Sequence, residues 1–98
     1  MSDFRILNTL RRHSNNTISA FKVEYGAGAN FRHLKRVRLK RNRRVTFTVV
    51  DLDVLGVSGK DLRLGYLEVN ADEEKFNDFE IRKGDLLEMY IDPLNSNI

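Results

Sequence analysis

The chain has no cysteine. That absence excludes disulfides, thiolate metal sites and thiol nucleophiles, and it is compatible with a cytoplasmic setting. Histidine is scarce. His13 and His33 stand apart, at no metal-ligand spacing, so no metal site is expected. No apolar run approaches the length of a membrane-spanning helix. The opening Met-Ser-Asp-Phe-Arg lacks the basic-then-apolar layout of a secretion signal. A soluble, cytoplasmic protein without membrane contact is the expectation. No serine lies in a nucleophile-elbow sequence. The loop Gly26-Ala-Gly-Ala-Asn30 lacks the Lys-Ser/Thr of a nucleotide-binding loop. No cofactor is expected, and the residues point to a binding protein rather than an enzyme.

Acid is nearly absent from the first half. Residues 1–50 carry twelve Lys/Arg against Asp3 and Glu24, a balance of +10. Residues 51–98 carry five Lys/Arg against twelve acids, a balance of −7, which leaves the whole chain at +3. Such asymmetry points to nucleic acid or to a charged protein partner. It also allows the halves to fold together and neutralise each other.

What is present is a regular alternation of apolar and polar residues. Hydrophobic residues make up 41% of the 98, enough for one core in a single small domain spanning 1–98. Residues 2–12 can form a short helix, with Ser2 or Asp3 as cap and Phe4, Leu7 and Leu10 on one face. A strand through 4–7 is the alternative. Residues 13–17 read as a loop. Phe21, Val23 and Tyr25 alternate with Lys22 and Glu24, as in a half-buried strand. Val37 and Leu39 alternate with Arg36, Arg38 and Lys40. Asn42 favours a turn. A long strand follows over 45–55, and its phase slips by one residue near Asp51, as a β-bulge would cause. Residues 56–60 read as a turn, with Gly59 the candidate for positive φ. Gly65 inside the strand over 62–69 suggests a bulge or a close backbone approach. An acidic connection over 70–75 can hold one helical turn. Phe76, Phe79 and Ile81 return apolar weight to the core. A tight turn over 82–85 precedes a last strand over 86–91, which Pro93 ends, and residues 93–98 are expected to fray. The fold class is therefore mainly β: a small antiparallel β-barrel or sandwich of five to six strands, with room for a short N-terminal helix.

The candidate site is the stretch 31–44, where eight Lys/Arg and one His stand without an acid. Arg36, Arg38 and Lys40 recur on one strand face at about 7 Å, a spacing that can track phosphates. Arg41, Arg43 and Arg44 extend the patch at the turn, with Arg32 and Lys35 in support. Phosphate neutralisation by such a patch would give backbone-dominated binding to RNA or DNA. Phe31 and Tyr25 are the nearest aromatics for base stacking. The alternative is an assembly or adaptor protein that self-associates, or binds an acidic partner, through opposite charge poles. Asp51, Asp53, Asp72, Glu73, Glu74 and Asp78 could attract a divalent cation, but a solvated acidic face is the simpler reading.

Val45-Thr-Phe-Thr-Val-Val and Gly59-Lys-Asp-Leu-Arg-Leu-Gly65 resemble the middle strands of the carbon storage regulator family of small RNA-binding β proteins. The resemblance covers a minor part of the chain and consists of strand and turn residues. The family's basic RNA-contacting segment has no counterpart, because Asp72-Glu-Glu74 occupies that region. No contact residue is carried over from it.

Overall fold

A computed structural model describes residues 3–14, 16–28, 35–72 and 80–90. Six strands account for the described regular structure: β1 (Asp3–Arg11), β2 (Ile18–Gly26), β3 (Arg36–Leu39), β4 (Thr46–Gly59), β5 (Leu62–Ala71) and β6 (Leu86–Met89). They close into a barrel in the order β1-β2-β5-β4-β3-β6. Every neighbouring pair is antiparallel. Among the described residues there is no helix, and none is long and apolar enough to cross a membrane.

The N-terminal helix is replaced by a strand. Phe4 and Ile6 are fully buried with exposed Arg5 between them, a period of two and not of three to four. A helix of that length is marginal in water by itself. As a strand, the same residues pair with β2 on one side and β6 on the other. Leu10, which the helical reading turned inward, is 37% exposed.

The core follows the alternation. Phe4, Phe21 and Phe47 are its largest fully buried members, packed among Ile6, Val23, Val37, Leu39, Leu67, Val69 and Leu87. Phe21 meets Phe47 edge to face at 5.0 Å between centroids, and Phe4 meets Tyr25 at 5.5 Å. Such pairs add to the area they bury. Ile81 packs on the outside of this cluster. Phe76 and Phe79, the 73–75 part of the acidic connection, and residues 91–98 lie outside the described residues.

The phase slip in β4 is real. Pairing with β5 shifts between Val49 and Asp51, and twice more, between Val54 and Gly56 and between Val57 and Gly59. Val50, Leu55 and Ser58 are the extra residues of these bulges. The turn falls later than the glycines suggest. β4 runs through to Gly59, and Asp61, at φ 61°, supplies the left-handed residue that Gly59 was expected to supply. Asp tolerates this region better than most side chains. The turn over 82–85 does use its glycine: Gly84 stands at φ 94° and donates its N–H to the Ile6 carbonyl at 2.8 Å. At the 41–44 turn, Asn42 acts through its side chain, accepting the Arg44 N–H at 3.1 Å.

Gly65 is a close approach. A Cβ there would stand 2.8 Å from the Asp53 carbonyl oxygen and 3.3 Å from both Leu52 Cδ1 and the Tyr25 ring. Backbone cannot yield as a flexible side chain can. Gly65→Ala is expected to lower stability by about 1–3 kcal/mol, the usual cost of overpacking. A shift of the urea midpoint with unchanged slope would report it. No shift would mean that β4 and β5 separate freely here.

Candidate functional site

β3 is held by its neighbours on both edges. Val37 and Leu39 point into the core, so Arg36 and Arg38 point out, half exposed. Register then sets what stands beside them. Arg38 pairs with Thr46 on β4 and with Glu88 on β6, and Glu88 pairs in turn with Asp3 on β1. The row Thr46–Arg38–Glu88–Asp3 thus crosses four strands.

Each cation of the strand meets an acid. Arg38 Nε donates to Glu88 Oε1 at 2.8 Å, and Lys40 Nζ donates to Asp3 Oδ2 at 2.9 Å. Arg36 pairs with Asp72. Arg41 grips Asp85 with two bonds, Nε to Oδ1 at 3.1 Å and Nη2 to Oδ2 at 2.9 Å, and also donates to the Glu80 carbonyl at 2.7 Å. Arg43 reaches Glu88 at 3.5 Å, sharing it with Arg38. Tyr90 lies beneath both guanidinium groups of β3, 5.4 Å from Arg36 and 5.1 Å from Arg38, a cation–π arrangement. The acids come mainly from the second half of the chain. The charge asymmetry of the sequence is thus interleaved on this face, not separated into poles.

Asp72 is the most fully coordinated carboxylate. Thr48 Oγ1 donates to it at 2.6 Å and Thr46 Oγ1 at 2.7 Å, besides Arg36. Partial burial pushes its pKa up, but the bonds from Thr48, Thr46 and Arg36 outweigh burial and leave it below the usual range. Asp85 is lowered chiefly by Arg41, against some burial, with help from the Arg82 N–H. Glu24 is lowered by its bonds from Ser58 and Arg5.

Two candidates stand otherwise. Lys35 and Arg44 are exposed and form no ion pair among the described residues. Arg32, His33 and Phe31 lie outside those residues. Asp51 and Asp53 are exposed on the outer face of β4, opposite Glu68 and Tyr66. Among the described residues no group of three or more His, Asp or Glu is placed to hold a metal ion.

One feature was not legible as a site. Val50, Val54, Leu55 and Val57 are 58%, 58%, 50% and 69% exposed, all on β4. Val54 lies on the same sheet face as buried Leu67 and Val69, because it pairs with Gly65. Among the described residues no strand lies beside it on this edge. β3 pairs only with 46–48, and the Val49 N–H donates to the Lys35 carbonyl at 2.8 Å. Beyond Val49, no described strand pairs with this edge of β4. The run Val54-Leu55-Gly56-Val57, apolar on both sides of the alternation, was the available signal.

No known protein family, curated protein or solved structure matches the chain.

The ion pairs set a pH dependence. The unfolded chain binds protons at ordinary carboxylate pKa values, and the folded chain releases them to lower pH. Stability from Asp72, Asp85 and Glu24 is therefore present above about pH 4 and lost as pH falls through their depressed values. The thermal unfolding midpoint should fall as pH drops below about 4, and Asp72→Asn with Asp85→Asn should flatten that fall while lowering stability at neutral pH. An unchanged profile in the double variant would show that these carboxylates carry none of it.

Proposed function

We propose that this barrel is an assembly module, a binding protein and not an enzyme, whose contact surface is the exposed apolar stretch of β4. The observation that carries this reading is the clustering of exposed apolar side chains. Val50, Val54, Leu55 and Val57 stand within eight consecutive residues of one strand. Scattered exposed hydrophobics are ordinary, but a contiguous patch marks a contact surface. The opposite-pole form of assembly has less support, because the cations of β3 are engaged by acids of the same chain. A contact built on valine and leucine draws on burial of apolar area, which salt screens little. The cysteine-free composition suits the cytoplasm, where we place this activity.

Sedimentation equilibrium tests the reading. The expected result is a mass that rises with concentration and persists in about 0.5 M salt, well past the screening of surface charge. Val57→Asp should shift association to at least tenfold higher concentration, the equivalent of about 1.4 kcal/mol. A monomer at all concentrations, or association that salt abolishes, would count against it.

Nucleic-acid binding is the second reading, favoured by the local excess of positive charge. Lys35, Arg36, Arg38, Lys40, Arg41, Arg43 and Arg44 face Asp3, Asp72, Asp85 and Glu88, seven cations to four acids. The excess falls on Lys35, Arg43 and Arg44. Three phosphate contacts would give a salt slope of about −2.7, or a loss of roughly fortyfold between 50 and 200 mM salt. Fluorescence anisotropy with a mixed-sequence oligonucleotide should show that modest slope, and Arg43→Glu with Arg44→Glu should remove the binding. A slope of about −6 or steeper would mean that the paired arginines also engage phosphate. No binding in 50 mM salt would end this reading.

A further inference from the structure

We infer that phosphate groups of a nucleic-acid strand dock at one end of the barrel, on a rim of four cations from two separate turns: Arg43 and Arg44 before β4, and Arg82 and Lys83 before β6. This rests on the nucleic-acid reading and moves its contact from the face of β3 to the barrel's end.

The topology brings the two turns together. Every neighbouring pair of strands is antiparallel, so β1, β3 and β5 run one way and β2, β4 and β6 the other. The turn from β3 into β4 and the turn leading into β6 therefore lie at the same end. Because β3 and β6 are paired, the turns are also adjacent. Lys40 donates its N–H to the Leu86 carbonyl at 2.9 Å. Arg41 bridges the two turns, with two bonds to the Asp85 carboxylate and one to the Glu80 carbonyl. In the sequence Arg82 and Lys83 are only a pair of cations, far from the basic stretch.

Pairing decides which cations remain available. Asp85 is occupied by Arg41 and by the Arg82 N–H at 2.8 Å. Lys40 is held by Asp3 and Arg38 by Glu88. Arg43 reaches Glu88 only at 3.5 Å and is 68% exposed, and Arg82 reaches Glu80 at 3.5 Å and is 66% exposed. Exposed pairs of this kind are weak. Arg44 and Lys83 are exposed and form no ion pair among the described residues. Of the acids in the connection to the second turn, Glu73, Glu74 and Asp78 lie outside the described residues. Glu80 and Asp85 are placed, and neither pairs with Arg43, Arg44 or Lys83. Four outer cations thus flank an ion-paired centre that fixes the turns to each other.

The side chains suit phosphate. Three of the four are arginines, whose planar fork matches phosphate oxygens. Neither turn carries an exposed large hydrophobic residue, so nothing there would insert into a lipid surface. Lys35, the other unpaired cation of the basic stretch, enters β3 at its opposite end, more than about 13 Å away at the rise of a strand, and is not part of this contact.

Salt dependence and charge changes test the rim. Four phosphate contacts give an expected slope of about −3.6 on a mixed-sequence DNA duplex. Arg82→Glu with Lys83→Glu should reduce it to about −1.8 and weaken binding to all sequences alike. The turn's bond to Asp85 comes from the Arg82 backbone, so these side-chain changes are compatible with the fold. Arg82→Gln with Lys83→Gln, which adds no negative charge, should reduce the slope equally. Lys35→Glu with Lys60→Glu, at exposed cations of the opposite end, alters the net charge as much as the first pair and should leave the slope unchanged. If that control lowers the slope equally, binding reads net charge and the rim is wrong. If Arg43→Glu with Arg44→Glu weakens binding while the changes at 82 and 83 do not, the second turn is excluded and the nucleic-acid reading stands. No binding in about 50 mM salt, a permissive condition, ends both. Binding to phosphatidylserine vesicles without binding to the duplex would assign the rim to lipid headgroups and overturn the inference.

Discussion

The register of β3 is the constraint on which the rest of this structure depends. A strand shows alternate residues to opposite faces, so a slip of one residue would turn Arg36, Arg38 and Lys40 into the core and Val37 and Leu39 into water. Burying three unpaired cations costs far more than the barrel's other contacts can return. The correct register has the opposite effect. It aligns Arg38 between Thr46 and Glu88, and places Lys40 near Asp3. β6 is held in turn, because Leu87 fills the core while Glu88 meets Arg38. β1 is then fixed by its pairing with β6.

Much of this was legible because alternation is a local property. The inward set on β2 and β3 and the slip in β4 follow from adjacent residues. The N-terminal strand was less so: Phe4, Leu7 and Leu10 satisfy a helical spacing as well as a strand, and only the edges offered by β2 and β6 settle the competition. The turn before β5 moved because Gly59 can be replaced by Asp61 as the left-handed residue. The fate of the basic stretch was illegible for a stronger reason. Glu88 and Asp72 are fifty and thirty-six residues from Arg38 and Arg36, and nothing local says that closure brings them together. The same holds for β4. Nothing in adjacent residues says which of its valines a neighbouring strand covers.

Charge on the surface of this barrel is therefore structural before it is available for binding. Exposed ion pairs contribute little singly, but here they are shared: Glu88 serves Arg38 and Arg43, and Tyr90 lies under two guanidinium groups. A ligand anion approaching β3 meets carboxylates as well as cations. An apolar partner approaching β4 meets no such competition.

The seam between β1 and β6 joins residues 3–5 to residues 86–88. Among the described strands it is the pairing of greatest sequence separation, in contrast to the local pairings of β1 with β2 and β4 with β5. Contacts of such high order are slow to form, because the loop entropy must be overcome before they return anything. During synthesis the barrel stays open until its last strand has emerged. Until then Phe4 and Ile6 have only one neighbouring strand, and the barrel's first strand is among the last to be enclosed.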